Sequence, residues 1–219
     1  MRRNWMRRVR LMSLVALGVL NLAGPARALP TLNEVYYDAV AADATEAFTE
    51  IFAPAGMDLS GWSLVGINGA DGNVYQTVNL TGAFVPLDGI LVVATSQAAG
   101  MVALVQDFVG NVDWQNGPDA VRLVDPTGLV VDALQYGDAG AFNAGEGNYA
   151  IDVPAGKSLS RDGFGTDTDD NFADFRVLDI PTPGAHLSTA AAVPEPGTML
   201  LLGAGLIGIA GVGRSHAKS

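Results

Sequence analysis

The 219-residue chain has no cysteine and places few basic residues in its central part. Without cysteine there is no disulfide cross-link, no thiol nucleophile and no thiolate metal ligand, so a folded domain must rely on its apolar core. Between Leu29 and Val193 the sequence holds 4 basic and 22 acidic residues, a formal charge of −18. This charge repels phosphate backbones, so we expect no nucleic-acid partner.

Histidine is equally scarce, because His186 is the only one of the two that precedes Val193. A zinc site with two or three imidazole ligands is therefore excluded from the central part. His186 also has no serine partner at a spacing typical of a nucleophile and its base. We therefore predict that the domain is not an enzyme.

The N-terminus carries the three parts of a secretory signal. Five arginines lie within the first ten residues, an apolar run follows from Leu11 to Ala23, and small residues stand at Ala26 and Ala28. The alternative is a membrane anchor, but a run of 13 residues is shorter than the ~20 that span a bilayer. We predict a signal peptide over residues 1–28, cleaved between Ala28 and Leu29.

The C-terminus has a second apolar segment. A linker of small residues over 188–193 leads to Val193-Pro194-Glu195-Pro196, then to an apolar, Gly-rich stretch over 198–213 and a basic tip. This stretch is short for a bilayer span, and the cations beyond it predict a cytoplasmic C-terminus with the domain outside. We predict a short hydrophobic helix that holds the chain in the inner membrane transiently.

The central part is predicted to be all-β, because short runs rich in Val, Leu, Ile, Phe and Tyr are separated by Gly, Asn, Asp and Pro. This spacing favours an antiparallel β-sandwich, with one helix predicted at Gln97–Val105. Strands are predicted at Leu32–Asp38, Ala47–Ala53, Leu59–Ile67, Val74–Leu80, Ile90–Ala94, Ala120–Val124 and Leu129–Tyr136, with a further short one near Ser158–Arg161.

Two tryptophans have opposite interpretations. Trp62 alternates with Leu59 and Leu64, which predicts a core position. Trp114 lies in a Gly- and Asp-containing loop, where it is a candidate for stacking on a sugar ring; the alternative is a tryptophan that closes one end of a sandwich.

Acidic residues give two further candidate sites. Glu34 and Glu50 lie in two neighbouring predicted strands, and paired carboxylates can serve acid–base chemistry, although outward strand positions explain them equally. Asp167, Asp169 and Asn171 have the first three ligand spacings of a calcium loop, but Phe172 and Leu178 replace the glycine and glutamate that an EF-hand requires. A calcium ion weakly bound by this loop, or a solvated loop without metal, both stay open.

The C-terminal pattern resembles the PEP-CTERM protein-sorting signal, because the motif Val193-Pro194-Glu195-Pro196, the apolar stretch and the basic tip follow in order. The resemblance implies recognition and cleavage by an exosortase in a bacterium that makes exopolysaccharide. It implies a protein delivered to the cell surface or the medium. An unprocessed chain would stay anchored in the membrane with its domain in the periplasm.

The central part resembles the lamin-tail domain over residues 32–187, on the marks Asn33-Glu34-Val35, Leu59-Ser60-Gly61-Trp62 and Thr182-Pro183-Gly184. The resemblance implies an immunoglobulin-like sandwich over residues 29–187 and offers no catalytic residues. We therefore expect a non-catalytic surface or matrix protein with exopolysaccharide as a partner and no cofactor. The alternatives are a calcium-assisted polysaccharide-binding module and, more remotely, a glycoside hydrolase that uses Glu34 and Glu50.

Overall fold

A computed structural model of the chain describes residues 29–186. The predicted signal peptide, Leu187, the linker and the sorting segment lie outside these residues. Within them the chain forms the strands β1 (Thr31–Tyr36), β2 (Phe48–Phe52), β3 (Ser63–Asn68), β4 (Val74–Asn79), β5 (Ile90–Ala94), β6 (Phe108–Val109), β7 (Asp119–Val124), β8 (Val130–Tyr136), β9 (Ser158–Ser160) and β10 (Arg176–Leu178). The helices are α1 (Asp43–Glu46), α2 (Gly100–Val105) and α3 (Asn171–Asp174).

The strands form two sheets. One has six strands in the order β10-β9-β1-β2-β5-β6, and the other has four in the order β4-β3-β7-β8. All neighbouring strands are antiparallel except β5 and β6, which are parallel. Buried apolar residues of both sheets, such as Ile51 and Leu123, form one core between them. The prediction of an all-β sandwich is confirmed, whereas its immunoglobulin-like type stays a prediction.

The six-stranded sheet is covered on both faces, as the burial of β5 shows. Its sequence is apolar throughout and all five of its residues are buried. Leu91 and Val93 belong to the core between the sheets, whereas Val92 packs with Phe48 and Val102 beneath α2 on the outer face. A strand without polar alternation is typical of a sheet buried on both faces.

Most predicted strands are present within one or two residues, and the differences have local causes. The strand predicted over Leu59–Ile67 begins only at Ser63, because Gly61 has φ +86° and the Trp62 N–H donates to the Leu59 carbonyl in a tight turn. The helix predicted at Gln97–Val105 begins at Gly100. β6 and β10 are not among the predicted strands, and the two residues of β6 are too few to show any periodicity.

A segment over residues 181–186, which we call the C-terminal strap, lies across the outer face of the six-stranded sheet. Its backbone N–H groups donate hydrogen bonds to side chains of β1 and β2. The His186 ring packs edge-on against Phe52, with the ring centroids 5.6 Å apart. Pro181 and Pro183 line a groove together with Phe48 and Val102. The strap and α2 therefore form a thin third layer over this sheet.

Within residues 29–186, no helix has the length and apolar composition needed to cross a bilayer.

Candidate functional site

Glu34 of β1 and Glu50 of β2 lie side by side beneath the strap, and both side chains are fully buried. Glu34 accepts hydrogen bonds from the Thr182 N–H (2.9 Å), the Thr182 hydroxyl (2.7 Å) and the Ser158 hydroxyl (2.5 Å). Glu50 accepts from the Gly184 N–H (2.7 Å) and the Asn33 amide (2.7 Å). Each carboxylate thus uses both of its oxygens to hold the strap and its own sheet.

Burial dominates the protonation of this pair. It raises the pKa of Glu50 to about 8, and the neighbouring charge of Glu34 acts in the same direction. Burial also raises the pKa of Glu34, although the hydrogen bonds from Ser158 and Thr182 oppose the shift. The side chains do point outward from the sandwich, but the strap excludes them from solvent. The pair therefore does not face an open cleft, as the acid and nucleophile of a glycoside hydrolase must.

The second candidate site is an acidic cluster that surrounds Arg161, whose side chain is fully buried. The guanidinium lies 2.7 Å from Asp132 and 2.9 Å from Asp174, with Asp167 at 3.4 Å and Glu146 at 3.8 Å. It also donates to the carbonyls of Leu32 and Thr166, and it stacks over the Phe175 ring at 4.4 Å. One cation therefore joins β8, β9 and the loop that precedes α3.

The acidic cluster has the donor set of a cation site, because carboxylate oxygens of Asp132, Glu146 and Asp167 lie within 4.8 Å of one another. Burial and the charges of Asp132 and Asp167 raise the pKa of Glu146 to about 8. Burial raises the pKa of Asp132 too, against the charge of Arg161. The Arg161 guanidinium is within 4 Å of all three carboxylates and already supplies a positive charge there.

The predicted calcium ligands are not brought together, so that prediction is wrong as a set. Asn171 is buried and its amide binds backbone groups of Ala133 and Gln135. Asp169 is exposed with φ +57°. Asp167 alone joins other carboxylates, those of Asp132 and Glu146. The sequence signal for Asp132 is an acidic residue inside the apolar run of β8. Its neighbours Glu146 and Asp167 lie in loops, and no sequence pattern relates them to Asp132.

Trp114 is only 1% exposed, so its predicted role in stacking on a sugar is wrong. Its indole N–H donates to the Thr49 hydroxyl at 2.8 Å, and its ring packs into the core between the sheets. A buried indole that finds a hydrogen-bond partner is the ordinary state of a core tryptophan. Trp62 belongs to the same core, as predicted.

A groove of about 280 Å³ runs beside the strap and is lined chiefly by apolar side chains of β1, β2 and α2. Its ionisable lining residues are Tyr36 and Glu46. General acid–base hydrolysis needs two groups placed on either side of the reacting bond. The groove offers one carboxylate, so it lacks the pair that such chemistry requires.

The comparison with known families concerns the end of the chain. Residues 192–215 match the PEP-CTERM protein-sorting motif. The match covers Val193, Pro194, Glu195 and Pro196 together with the apolar stretch, so the predicted sorting motif is confirmed. The motif implies export, processing by an exosortase and sorting to the cell surface. No curated protein and no solved structure gives a match to the chain.

Proposed function

We propose that this protein is an exported, non-catalytic β-sandwich that contributes to the cell surface or extracellular matrix by binding or as a structural module. The observation that supports the non-catalytic role is the state of Glu34 and Glu50. Both carboxylates are buried and engaged in holding the strap, so the paired acids of the central part have a structural use. The sorting motif supplies the destination.

We also propose that the domain is of the lamin-tail type, and hydrogen bonds between residues that carry this resemblance support the proposal. Two of its marks contact each other, since Glu34 of Asn33-Glu34-Val35 binds Thr182 of Thr182-Pro183-Gly184. Asn33 also orients Glu50, which binds Gly184. Glu34 and Thr182, which lie 148 residues apart in the sequence, thus belong to one hydrogen-bonded unit that closes the domain. This unit supports assigning residues 29–187 to an immunoglobulin-like module of that family.

The proposed route begins with cleavage before Leu29 and a transient hold in the inner membrane through residues 198–213. Exosortase-type processing then delivers the domain to the surface, where exopolysaccharide is the proposed partner. The experiment is the intact mass and cell fraction of the protein from its native host. We expect a chain that starts at Leu29, ends near Pro194–Pro196 and is found at the surface or in the medium.

A Glu195→Ala variant should accumulate unprocessed in the inner membrane, whereas Ser188→Ala, in the linker, should be processed normally. A wild-type chain that ends at Ser219 in the inner membrane would overturn the sorting route.

The non-catalytic role has its own test on the mature protein from the same host. We expect no turnover of the host's exopolysaccharide or of model glycosides. Turnover that Glu34→Gln or Glu50→Gln abolishes without unfolding the domain would replace the proposal with a hydrolase.

A further inference from the structure

Three of the four sheet edges in residues 29–186 are short or covered. β6 and β10, the edges of the six-stranded sheet, have two and three residues. The third edge, β8, is capped by the Asn171 amide, which donates to the Ala133 carbonyl (2.7 Å) and accepts from the Gln135 N–H (2.8 Å). The Ala150 N–H then donates to the Gln135 carbonyl. These are the devices by which natural sheets avoid joining other sheets.

The fourth edge, β4, is the least protected, because its single bulge, at Tyr75, affects only one end of the strand. It runs for six residues, and every second residue of an edge strand turns its N–H and C=O away from the neighbouring strand. Along residues 74–79 of the described chain, no strand pairs with that side and no backbone hydrogen bond leads from it. Its polar contacts with the neighbouring loop come from side chains: the Gln76 amide donates to the Asn111 carbonyl, and the Tyr75 hydroxyl accepts from the Gln115 N–H. The backbone edge itself is open.

The composition of β4 matches this exposure. Edge strands are usually protected from pairing with other chains by proline or by charged residues such as lysine. The sequence of β4, Val-Tyr-Gln-Thr-Val-Asn, has neither. The uncharged stretch is longer than the strand and covers residues 72–87, in a central part that carries a formal charge of −18. This is a surface on which two copies can meet without placing like charges opposite each other.

We propose that β4 pairs antiparallel with β4 of a second copy, joining two four-stranded sheets into one continuous eight-stranded sheet. A two-fold axis normal to the sheet keeps every side chain on its own face, so exposed residues pair with exposed residues. Thr77 and Asn79 are the exposed residues of the regular part of the strand, beyond the bulge near Gly66. Thr77 therefore lies opposite Thr77 of the second copy.

A second copy is the proposed occupant because residues 72–87, which include β4, are the neutral part of an acidic domain, and a second copy presents the same neutral, open edge. The net charge of −18 opposes the approach of two copies, but the neutral strands place no like charges directly opposite each other at the contact. Each copy offers one open edge in its described residues, and one pairing uses both edges. The assembly therefore closes at two copies and does not extend into a fibre.

The first test uses the mature chain purified from its native host, in a sedimentation series over rising protein concentration. We expect a monomer–dimer equilibrium that shifts toward dimer as salt increases, because salt screens repulsion between two strongly acidic domains. A chain that stays monomeric up to its solubility limit would overturn the proposal.

The second test exploits the cysteine-free sequence. Thr77→Cys should give a disulfide-linked dimer on mild oxidation, because directly opposite residues of antiparallel strands bring their Cα atoms within disulfide range. Leu104→Cys is the control, since this residue is 80% exposed in α2 on the other sheet and should stay monomeric. Equal cross-linking of both variants would mean random collision.

The third test identifies the pairing by charge. Thr77→Lys and Thr77→Glu should each weaken dimerisation at least tenfold, because like charges then face each other. An equal mixture of the two variants should form a heterodimer that restores it. A dimer whose dissociation constant is unchanged by both substitutions would place the interface elsewhere and contradict the proposal.

Discussion

Arg161 illustrates how a single buried charge organises distant parts of this chain. Its guanidinium contacts Asp132 of β8 and Asp174 of α3, while its Nε–H donates to the Leu32 carbonyl of β1. A buried cation is tolerated only where carboxylates and hydrogen-bond acceptors surround it, and here its donors are used in this way. The acidic loops that the sequence offers as calcium ligands thus include the counter-ions of an arginine.

Replacing Arg161 should therefore destabilise the domain strongly. We expect Arg161→Met to cost about 3–5 kcal/mol in the free energy of unfolding, because it leaves Asp132 and Asp174 as uncompensated acids in or near the core. Denaturant unfolding of the mature protein measures the effect. Lys157→Met is the control, because Lys157 pairs with Asp179 at the surface and exposed pairs contribute little. Similar losses for the two variants would contradict the role assigned to Arg161.

Glu50 should make the stability depend on pH. Its pKa is about 8 in the folded chain against 4.5 ordinarily, so the folded state binds the proton more tightly than the unfolded state. The resulting stabilisation is complete below pH 4.5 and is lost as the pH rises through about 8, at up to roughly 1.4 kcal/mol per pH unit.

Glu50→Gln cannot ionise and should give a shallower loss of stability between these pH values. Urea unfolding of wild type and variant at several pH values measures the difference. Glu146 titrates in the same direction and remains in both proteins, so it cancels from the comparison. Parallel profiles would show that Glu50 does not titrate in this window.

At the scale of elements, the main contribution of α3 is to position the buried side chain of Asn171. The amide oxygen of Asn171 accepts from the N–H groups of Gln135 (2.8 Å) and Glu146 (3.1 Å), and its nitrogen donates to the Ala133 carbonyl (2.7 Å). One buried side chain thereby replaces the strand that β8 lacks on this side. The Asp170 carboxylate caps the helix and accepts from the Phe172 and Ala173 N–H groups.

Asn171→Ala should thus cost about 3 kcal/mol or more, because it removes the side-chain partner of two buried backbone groups and of a third that is partly buried. Hydrogen exchange should also speed up at the Gln135 amide, which a general loss of stability would not single out. Asn148→Ala is the control, since Asn148 is exposed and binds only the Asp170 carboxylate with its amide. An unfolding free energy equal to that of the control variant would contradict this role.

The sequence predicts elements better than it predicts what covers them. Apolar runs locate β1, β2, β5, β7 and β8, because a strand with a buried face has a local signature. The strap over the six-stranded sheet has no such signature, because Glu34 binds Thr182 across 148 residues and is indistinguishable in the sequence from an outward polar strand residue. The predicted exposure of Trp114 is wrong for the same reason, since its burial depends on a distant contact: its loop folds inward and the indole binds Thr49.

At the scale of the whole molecule, the charge of −18 on residues 29–193 and the carboxylates around Arg161 together determine how added cations affect stability. Any added salt should raise the melting temperature by screening repulsion among the acids. Because Arg161 already lies among Asp132, Glu146 and Asp167, we expect calcium chloride to raise it no more than sodium chloride does at equal ionic strength. Thermal melts in the two salts measure this.

An additional increase specific to calcium would restore the calcium-assisted alternative. It should then vanish in Asp167→Asn, which removes one carboxylate of the cluster, and persist in Asp138→Asn, an exposed acid outside it.

The strap also determines how the domain responds to tension. A pull on the chain beyond His186 reaches the sheet through Thr182 and Gly184, which are fastened to Glu34 and Glu50 on β1 and β2. These strands are the two middle ones of the six-stranded sheet, so the force enters at its centre and does not peel β10 from its margin. We therefore expect tension on the chain beyond His186 to load the hydrogen bonds of Thr182 and Gly184 before it reaches the strand pairs of the sheet.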